Sequence, residues 1–142
     1  SFYEKVYISR RDSTESRNLI NEIEIENYLK TKGFKIVLLS KLNLKKKIKL
    51  FTNAKIIITP LGAGIKNLYF CKNIKAKVLL IGTNRYFQQK YFLQLSYFKK
   101  IKLYFIQALE LTSFSNDHGF LHSSFYVNLD VLKSAIKNLN KY

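Results

Sequence analysis

The chain has 142 residues, with 25 Lys and Arg against 9 Asp and Glu, giving a net charge of +16. That length fits one domain large enough to bury its own core without covalent staples. Cys71 is the only cysteine, which excludes an internal disulfide and a cysteine-based zinc site. No apolar run approaches the roughly 20 residues of a membrane-spanning helix, and no basic-then-apolar leader opens the chain, so a soluble piece is expected. The start at Ser1-Phe2-Tyr3, without a Met and almost directly before a strand, suggests an excised domain whose upstream part is missing. A large positive charge points to nucleic acid, anionic lipid or acidic glycans. Here the excess is lysine and accompanies abundant Ile, Asn, Phe and Tyr, residues with A/T-rich codons, so genome composition supplies much of it. The run Lys45-Lys46-Lys47-Ile48-Lys49 suits a solvated helix face better than a track for phosphates.

Glu4 to Ser9 alternates around Val6 and Ile8 as a first strand. The polar loop from Ser9 to Arg17 follows and holds three of the four arginines, Arg10, Arg11 and Arg17. Arginine forks match phosphate oxygens, and Asp12 and Glu15 equally match the arginines, so a ligand loop and a self-neutralised surface loop both fit. Asn21 and Glu24 have the spacing of a capping pair, with Ile20 and Ile25 placed as a hydrophobic staple. The helix they open buries Ile25, Tyr28 and Leu29 and closes at Gly33. Glu22 near its start complements the helix dipole or touches a ligand; capping is the preferred role.

Phe34 to Leu39 reads as a second strand, and Asn43 caps a short helix through Lys45, Ile48 and Phe51. Residues 55–59 then form a strand of consecutive isoleucines covered on both faces, and Pro60 stops its ladder. Gly62 and Gly64 supply positive φ and bare backbone, and Ile65, Leu68 and Tyr69 begin a helix at i, i+3, i+4. The free amides at such a helix start suit a phosphate, although a tight turn without ligand satisfies the same pattern.

Lys77 to Ile81 gives another buried strand. Asn84-Arg85 opens a helix with Phe87, Tyr91, Phe92, Leu95 and Phe98 on one broad face, read as core rather than as a base-stacking surface. Ile101 to Ile106 is the fifth strand. Gln107 to Ser124 is irregular and long enough for a functional loop. Within it, His118 and His122 with Asp117 would hold a metal only on a helix, and Gly119 favours a loop. Ser124 to Val127 is a short extended piece. Asn128 or Asp130 caps a last helix carrying Leu129, Leu132, Ala135, Ile136 and Leu139, with Lys133, Lys137 and Lys141 towards its C-terminal end.

Five strands alternating with helices predict an α/β doubly wound parallel sheet in a single domain over residues 1–142. The expected order is 2-1-3-4-5, with the dinucleotide-type order as alternative. In either, the arginine loop and the glycine turn face each other where the winding reverses.

Several ordered blocks resemble glycosyltransferase family 61: Val6-Tyr7-Ile8-Ser9-Arg10-Arg11-Asp12, Arg17, Asn21-Glu22, Gly33-Phe34, Leu50-Phe51-Thr52-Asn53-Ala54, Gly62-Ala63-Gly64-Ile65-Lys66-Asn67-Leu68, and Phe125-Tyr126-Val127-Asn128-Leu129-Asp130-Val131-Leu132. The resemblance runs from about Lys5 to Leu139. It implies the Rossmann-like C-terminal, donor-binding half of a GT-B-type enzyme, performing metal-independent, inverting transfer from a nucleotide sugar in capsular or cell-surface polysaccharide synthesis. No Asp-x-Asp motif occurs, in keeping with that chemistry. Carried over residue by residue, donor binding falls on Arg10, Arg11, Gly62, Ala63, Gly64 and Asn67, with Arg17 and Glu22 as weaker members.

No cofactor or metal is expected beyond the nucleotide-sugar donor. The implied partners are a glycan acceptor and an N-terminal half of the same protein, which supplies the catalytic base, with no nucleic acid and no membrane span. The implied location is cytoplasmic, at most peripheral to the inner membrane face. Two departures stand out: Leu61 where the family usually carries His, and Leu80 where it usually carries Glu. The fragment alone is expected to bind and not turn over. The alternatives are a basic α/β nucleic-acid-binding module and a degenerate, non-catalytic domain.

Overall fold

Alternating side chains along the strands decide which helices cover which face of the sheet. The computed structural model describes residues 3–13, 18–72, 76–83, 90–111 and 124–141. Arg17, the helix start expected at Asn84-Arg85 with Phe87, and the Asp117, His118 and His122 group lie outside them. Strands β1 (Lys5–Ser9), β2 (Lys35–Leu38), β3 (Ile56–Pro60), β4 (Lys77–Gly82) and β5 (Lys102–Gln107) form one parallel sheet. Their order is β2-β1-β3-β4-β5, the expected 2-1-3-4-5 arrangement. Val6, Ile8, Ile57, Val78 and Leu80 point to one face. There they meet Phe51 of α2 (Leu44–Asn53), Ile65 and Leu68 of a 3₁₀ helix (Ala63–Phe70), and Leu95 of α3 (Lys90–Lys99). Tyr7, Ile58, Leu79 and Ile81 point to the other face, against α1 (Glu22–Thr31) and α4 (Leu129–Leu139). A strand buried on both faces has no polar side to show, which is why these segments read as continuous apolar runs.

Helix ends follow the sequence in three places. The Asn43 side chain accepts from Lys46 N–H at 2.9 Å. Asn128, rather than Asp130, caps α4 by accepting from the amides of Asp130 (2.8 Å) and Val131 (3.4 Å). Gly33, at φ +79°, follows α1. The start of α1 differs from expectation. Asn21 makes no side-chain cap. Its amide instead brackets Val127, donating to the carbonyl at 2.8 Å and accepting from the N–H at 3.2 Å, while also reaching Glu24. Nor is there a staple, because Ile20 is 60 % exposed. Residues 18–20 pair with Phe125 in strand-like fashion, so alternation turns Leu19 inward and Ile20 outward.

Three further expectations are corrected. Pro60 is the last residue of β3 rather than a stop before it, and the ladder continues because Leu61 N–H reaches Ile81 O at 2.8 Å. Residues 63–70 are 3₁₀, not α-helical. Their buried positions, Ile65, Leu68 and then Cys71, recur every third residue, which matches three residues per turn. Burial pushes the Cys71 thiol up to about 11, an unreactive core group. In α3 Leu95 is fully buried, whereas Phe98 is 71 % exposed, so the inward face is narrower than its aromatic spacing suggested.

The segment expected to be irregular begins with a strand, β6 (Leu109–Leu111). It pairs antiparallel with the expected extended piece, β7 (Ser124–Tyr126). No helix among the described residues is long and apolar enough to cross a membrane.

Candidate functional site

The winding reverses between β1 and β3. The chain leaves β1 for β2 on one side and returns so that β3 pairs with the other edge of β1, Val6 opposite Ile57. At such a point the loops after the two strands diverge and leave a crevice beyond their carboxyl ends. A cleft of about 260 Å³ opens there, walled by Ser9, Arg10 and Ser13 on one side and by Leu39, Gly62 and Gly64 on the other.

Arg10 joins the two sides. Its Nη1 donates to the carbonyl of Leu61, and its Nη2 donates to Ser13 Oγ at 3.2 Å. A Cβ added to Gly62 would lie 2.1 Å from Arg10 Nη1 and 2.6 Å from its Cζ. The positive φ expected at this glycine is absent: its φ of 172° is extended backbone open to any residue. Gly62 therefore makes room for the guanidinium instead of turning the chain. The first 3₁₀ hydrogen bond runs from Ile65 N–H to Gly62 O, so the amides of Ala63 and Gly64 precede the first closed turn. A Cβ on Gly64 would meet Leu39 Cδ1 at 3.0 Å, so this glycine and Leu39 pack together on one wall of the cleft.

The backbone of the arginine loop is anchored from below. Glu22, 4 % exposed, accepts with one oxygen from both Arg10 N–H (2.8 Å) and the Tyr7 hydroxyl (2.9 Å). Burial holds its carboxyl above the usual glutamate range, outweighing those two hydrogen bonds. The Tyr7 phenol is likewise pushed up, by burial first and then by the charge on Glu22. Arg11 turns the other way, its Nε donating to buried Glu26 Oε1 at 2.7 Å. Of the expected donor-binding residues, Arg10, Gly62 and Gly64 meet at the cleft. Arg11 lies against α1, Glu22 beneath the loop, and Asn67 closes its own turn by donating to Gly64 O at 2.9 Å.

The raised carboxyl gives a pH dependence with a definite sign. In the unfolded chain Glu22 ionises around its ordinary value of about 4.3; in the fold it holds its proton to higher pH. The native state then binds more protons than the unfolded state. Stability is fully present below the unfolded value and is lost as pH rises through the folded one. Glu22→Gln keeps an oxygen for both donors and removes the ionisation, so its denaturation midpoint should fall less than the wild type between pH 4 and pH 8. Equal slopes would show that Glu22 does not titrate in this window.

Leu61 and Leu80, the two departures, both point into the core and away from the cleft. Leu61 contributes only its carbonyl. Leu80 is fully buried in mid-strand opposite Thr59 and Phe105, not at a strand end. Sequence reasoning passed over Ser13, Leu39 and Tyr7, and also Thr83, whose buried hydroxyl has no hydrogen-bond partner among the described residues. Tyr7 carried a usable signal, because a tyrosine inside a buried strand needs a partner for its hydroxyl. Leu39 carried none, since only strand order brings it to the glycine turn.

No curated protein matches the chain in a sequence search. A family model described as Glycosyltransferase 61 matches residues 2–79. The matched span ends within β4, so the similarity expected as far as Leu139 is supported only through residue 79. It takes in both the arginine loop and the glycine turn, and it covers more than half of the sequence. This chain belongs to the glycosyltransferase 61 family.

Proposed function

We propose that the chain is the donor-binding, C-terminal half of a GT-B-type glycosyltransferase, and that its cleft between β1 and β3 takes the diphosphate of a nucleotide sugar. The observation that carries this reading is the convergence of Arg10 with the Gly62 turn at the point where the winding reverses. Transfer of a sugar from a nucleoside diphosphate leaves negative charge on the departing phosphates. Fixed hydrogen-bond donors aimed at that charge stabilise it in the transition state. Arg10 brings a forked cation, and the amides of Ala63 and Gly64 add donors at a helix start. These groups do the work a metal would otherwise do, so the proposed reaction is metal-independent and, as in the family, inverting.

The cleft volume of about 260 Å³ falls below the about 300–1,000 Å³ typical of a complete small-molecule site. That agrees with a second, N-terminal half covering the sugar and supplying the catalytic base and the acceptor contacts. The glycan acceptor belongs to capsular or cell-surface polysaccharide synthesis, on the cytoplasmic side. In EDTA, calorimetric titration with a panel of nucleoside diphosphates should give saturable binding that weakens at least about tenfold in Arg10→Ala, the scale of a lost charge-assisted hydrogen bond. A folded protein that ignores every nucleotide would favour the degenerate, non-catalytic reading, and an unchanged affinity in Arg10→Ala would remove the diphosphate from this cleft.

A further inference from the structure

No Asp or Glu occurs between Glu26 and Glu110. That stretch builds β2 to β5 and the whole helical layer of α2, the 3₁₀ helix and α3, whereas the helical carboxylates Glu22, Glu24, Glu26 and Asp130 all lie on the opposite layer. Protein surfaces ordinarily intersperse both signs. One side of this sheet therefore carries cations without counter-charges of its own. Asp12 reaches that side at Ser40, whose N–H it accepts at 3.2 Å.

On this layer α2 stands out. Phe51 fills the core, while Leu44 is 62 % and Ile48 37 % exposed. Leu44 and Ile48 are four residues apart and share the stripe that Phe51 carries into the core, so the exposed pair continues that face along the flank of the helix. Lys45 and Lys49 form the stripe beside it, with Lys46 and, in the turn before the helix, Lys41 also exposed. A single exposed leucine is ordinary. A paired aliphatic stripe bordered by lysines, on a helix without a carboxylate, is the pattern of a helix lying in a membrane interface. The same layer exposes Tyr97 and Phe98 of α3, in edge-to-face contact at 5.6 Å, and tyrosine is enriched at membrane–water boundaries.

We infer that the exposed flank of α2 around Leu44 and Ile48 docks on an anionic phospholipid bilayer, its lysines among the headgroups and Leu44 and Ile48 at the acyl boundary. Charge complementarity selects a negative partner, and the aliphatic pair selects one with an apolar interior. A nucleic acid offers phosphates but gives Leu44 and Ile48 nothing to enter, since base stacking uses aromatic rings. The placement has a consequence for the cleft. Leu39, one of its walls, opens the turn that leads directly into α2, so docking would hold this wall of the cleft near the membrane.

The inference stands apart from the donor reading, and co-sedimentation tests it separately. Extruded vesicles of equal parts phosphatidylglycerol and phosphatidylcholine should pull down the protein, and vesicles of phosphatidylcholine alone should not. Lys45→Glu with Lys49→Glu should lower the partition coefficient at least about tenfold, because each lysine near an anionic surface counts for about 1 kcal/mol. Leu44→Ser with Ile48→Ser should lower it by a similar factor with all charges intact. Lys45 and Lys49 are exposed, so thermal unfolding of that pair should stay at the wild-type value; Ile48 is partly covered, so the serine pair should unfold somewhat earlier. Neither pair lines the cleft, so nucleotide affinity should be unchanged in both, and Arg10→Ala should sediment as wild type. Equal partition onto neutral vesicles, unchanged binding in both double variants, or tighter binding to a random oligonucleotide than to the anionic vesicles would each overturn the inference.

Discussion

Gly62→Val should strongly weaken nucleoside diphosphate binding while leaving the fold standing. The new Cβ would occupy the position of the Arg10 guanidinium, at 2.1 Å from Nη1, so the arginine must leave the Leu61 carbonyl and swing out of the cleft. Departure is cheap for stability because the atom that moves is the far end of a long side chain. The extended backbone at residue 62 accepts valine without strain. We expect an unfolding free energy within about 1 kcal/mol of wild type, the range of substitutions away from a core. Affinity should fall on the order of 10–100-fold, since the charge-assisted contact and the bare approach to the Ala63 and Gly64 amides are lost together. Because the effect acts through Arg10, Gly62→Val added to Arg10→Ala should cost less than the two single losses summed. Calorimetric titration of the four proteins measures this. Wild-type affinity in Gly62→Val would show that ligand does not approach this turn.

The largest effect on stability is expected one layer inward, where Gly82 at the end of β4 faces Leu61. A Cβ there would lie 2.1 Å from Leu61 Cδ1, 2.8 Å from Cγ and 3.3 Å from Cβ. Unlike the guanidinium, this leucine is 2 % exposed and has no open space to enter. Gly82→Ala should therefore destabilise by about 1–3 kcal/mol through overpacking. Leu61→Ala should cost about 2–5 kcal/mol through the cavity it leaves. Combined, the two should cost clearly less than their sum, because the new methyl enters the vacated space. Denaturant unfolding of the set reads the coupling directly, and strict additivity would separate the two residues. Gly82→Ala should also weaken nucleotide binding, as the carbonyl that holds Arg10 belongs to the residue being displaced. Leu61, which as a side chain takes no part in the cleft, thus positions the cleft's principal cation.

The sequence alone determined the sheet, its strand order and the two segments that meet at the cleft. Each was written locally: continuous apolar runs for strands covered on both faces, a polar arginine loop after β1, a glycine turn after β3, and a strand-helix rhythm that permits few windings. Asn43 and Asn128 were legible as caps for the same reason, since a cap is an exchange between neighbours in the chain. What only tertiary structure decided depended on partners far away in sequence. Arg10 and Arg11 look alike as text; one reaches Leu61 and the other Glu26 because successive residues leave a strand end in opposite directions. Asn21 had the spacing of a cap and was taken by Val127, 106 residues on, which offers its amide both a donor and an acceptor. Gly62 appeared to be a conformational glycine, yet its role is to leave a space, and the occupant of a space becomes visible only once the chain has closed around it.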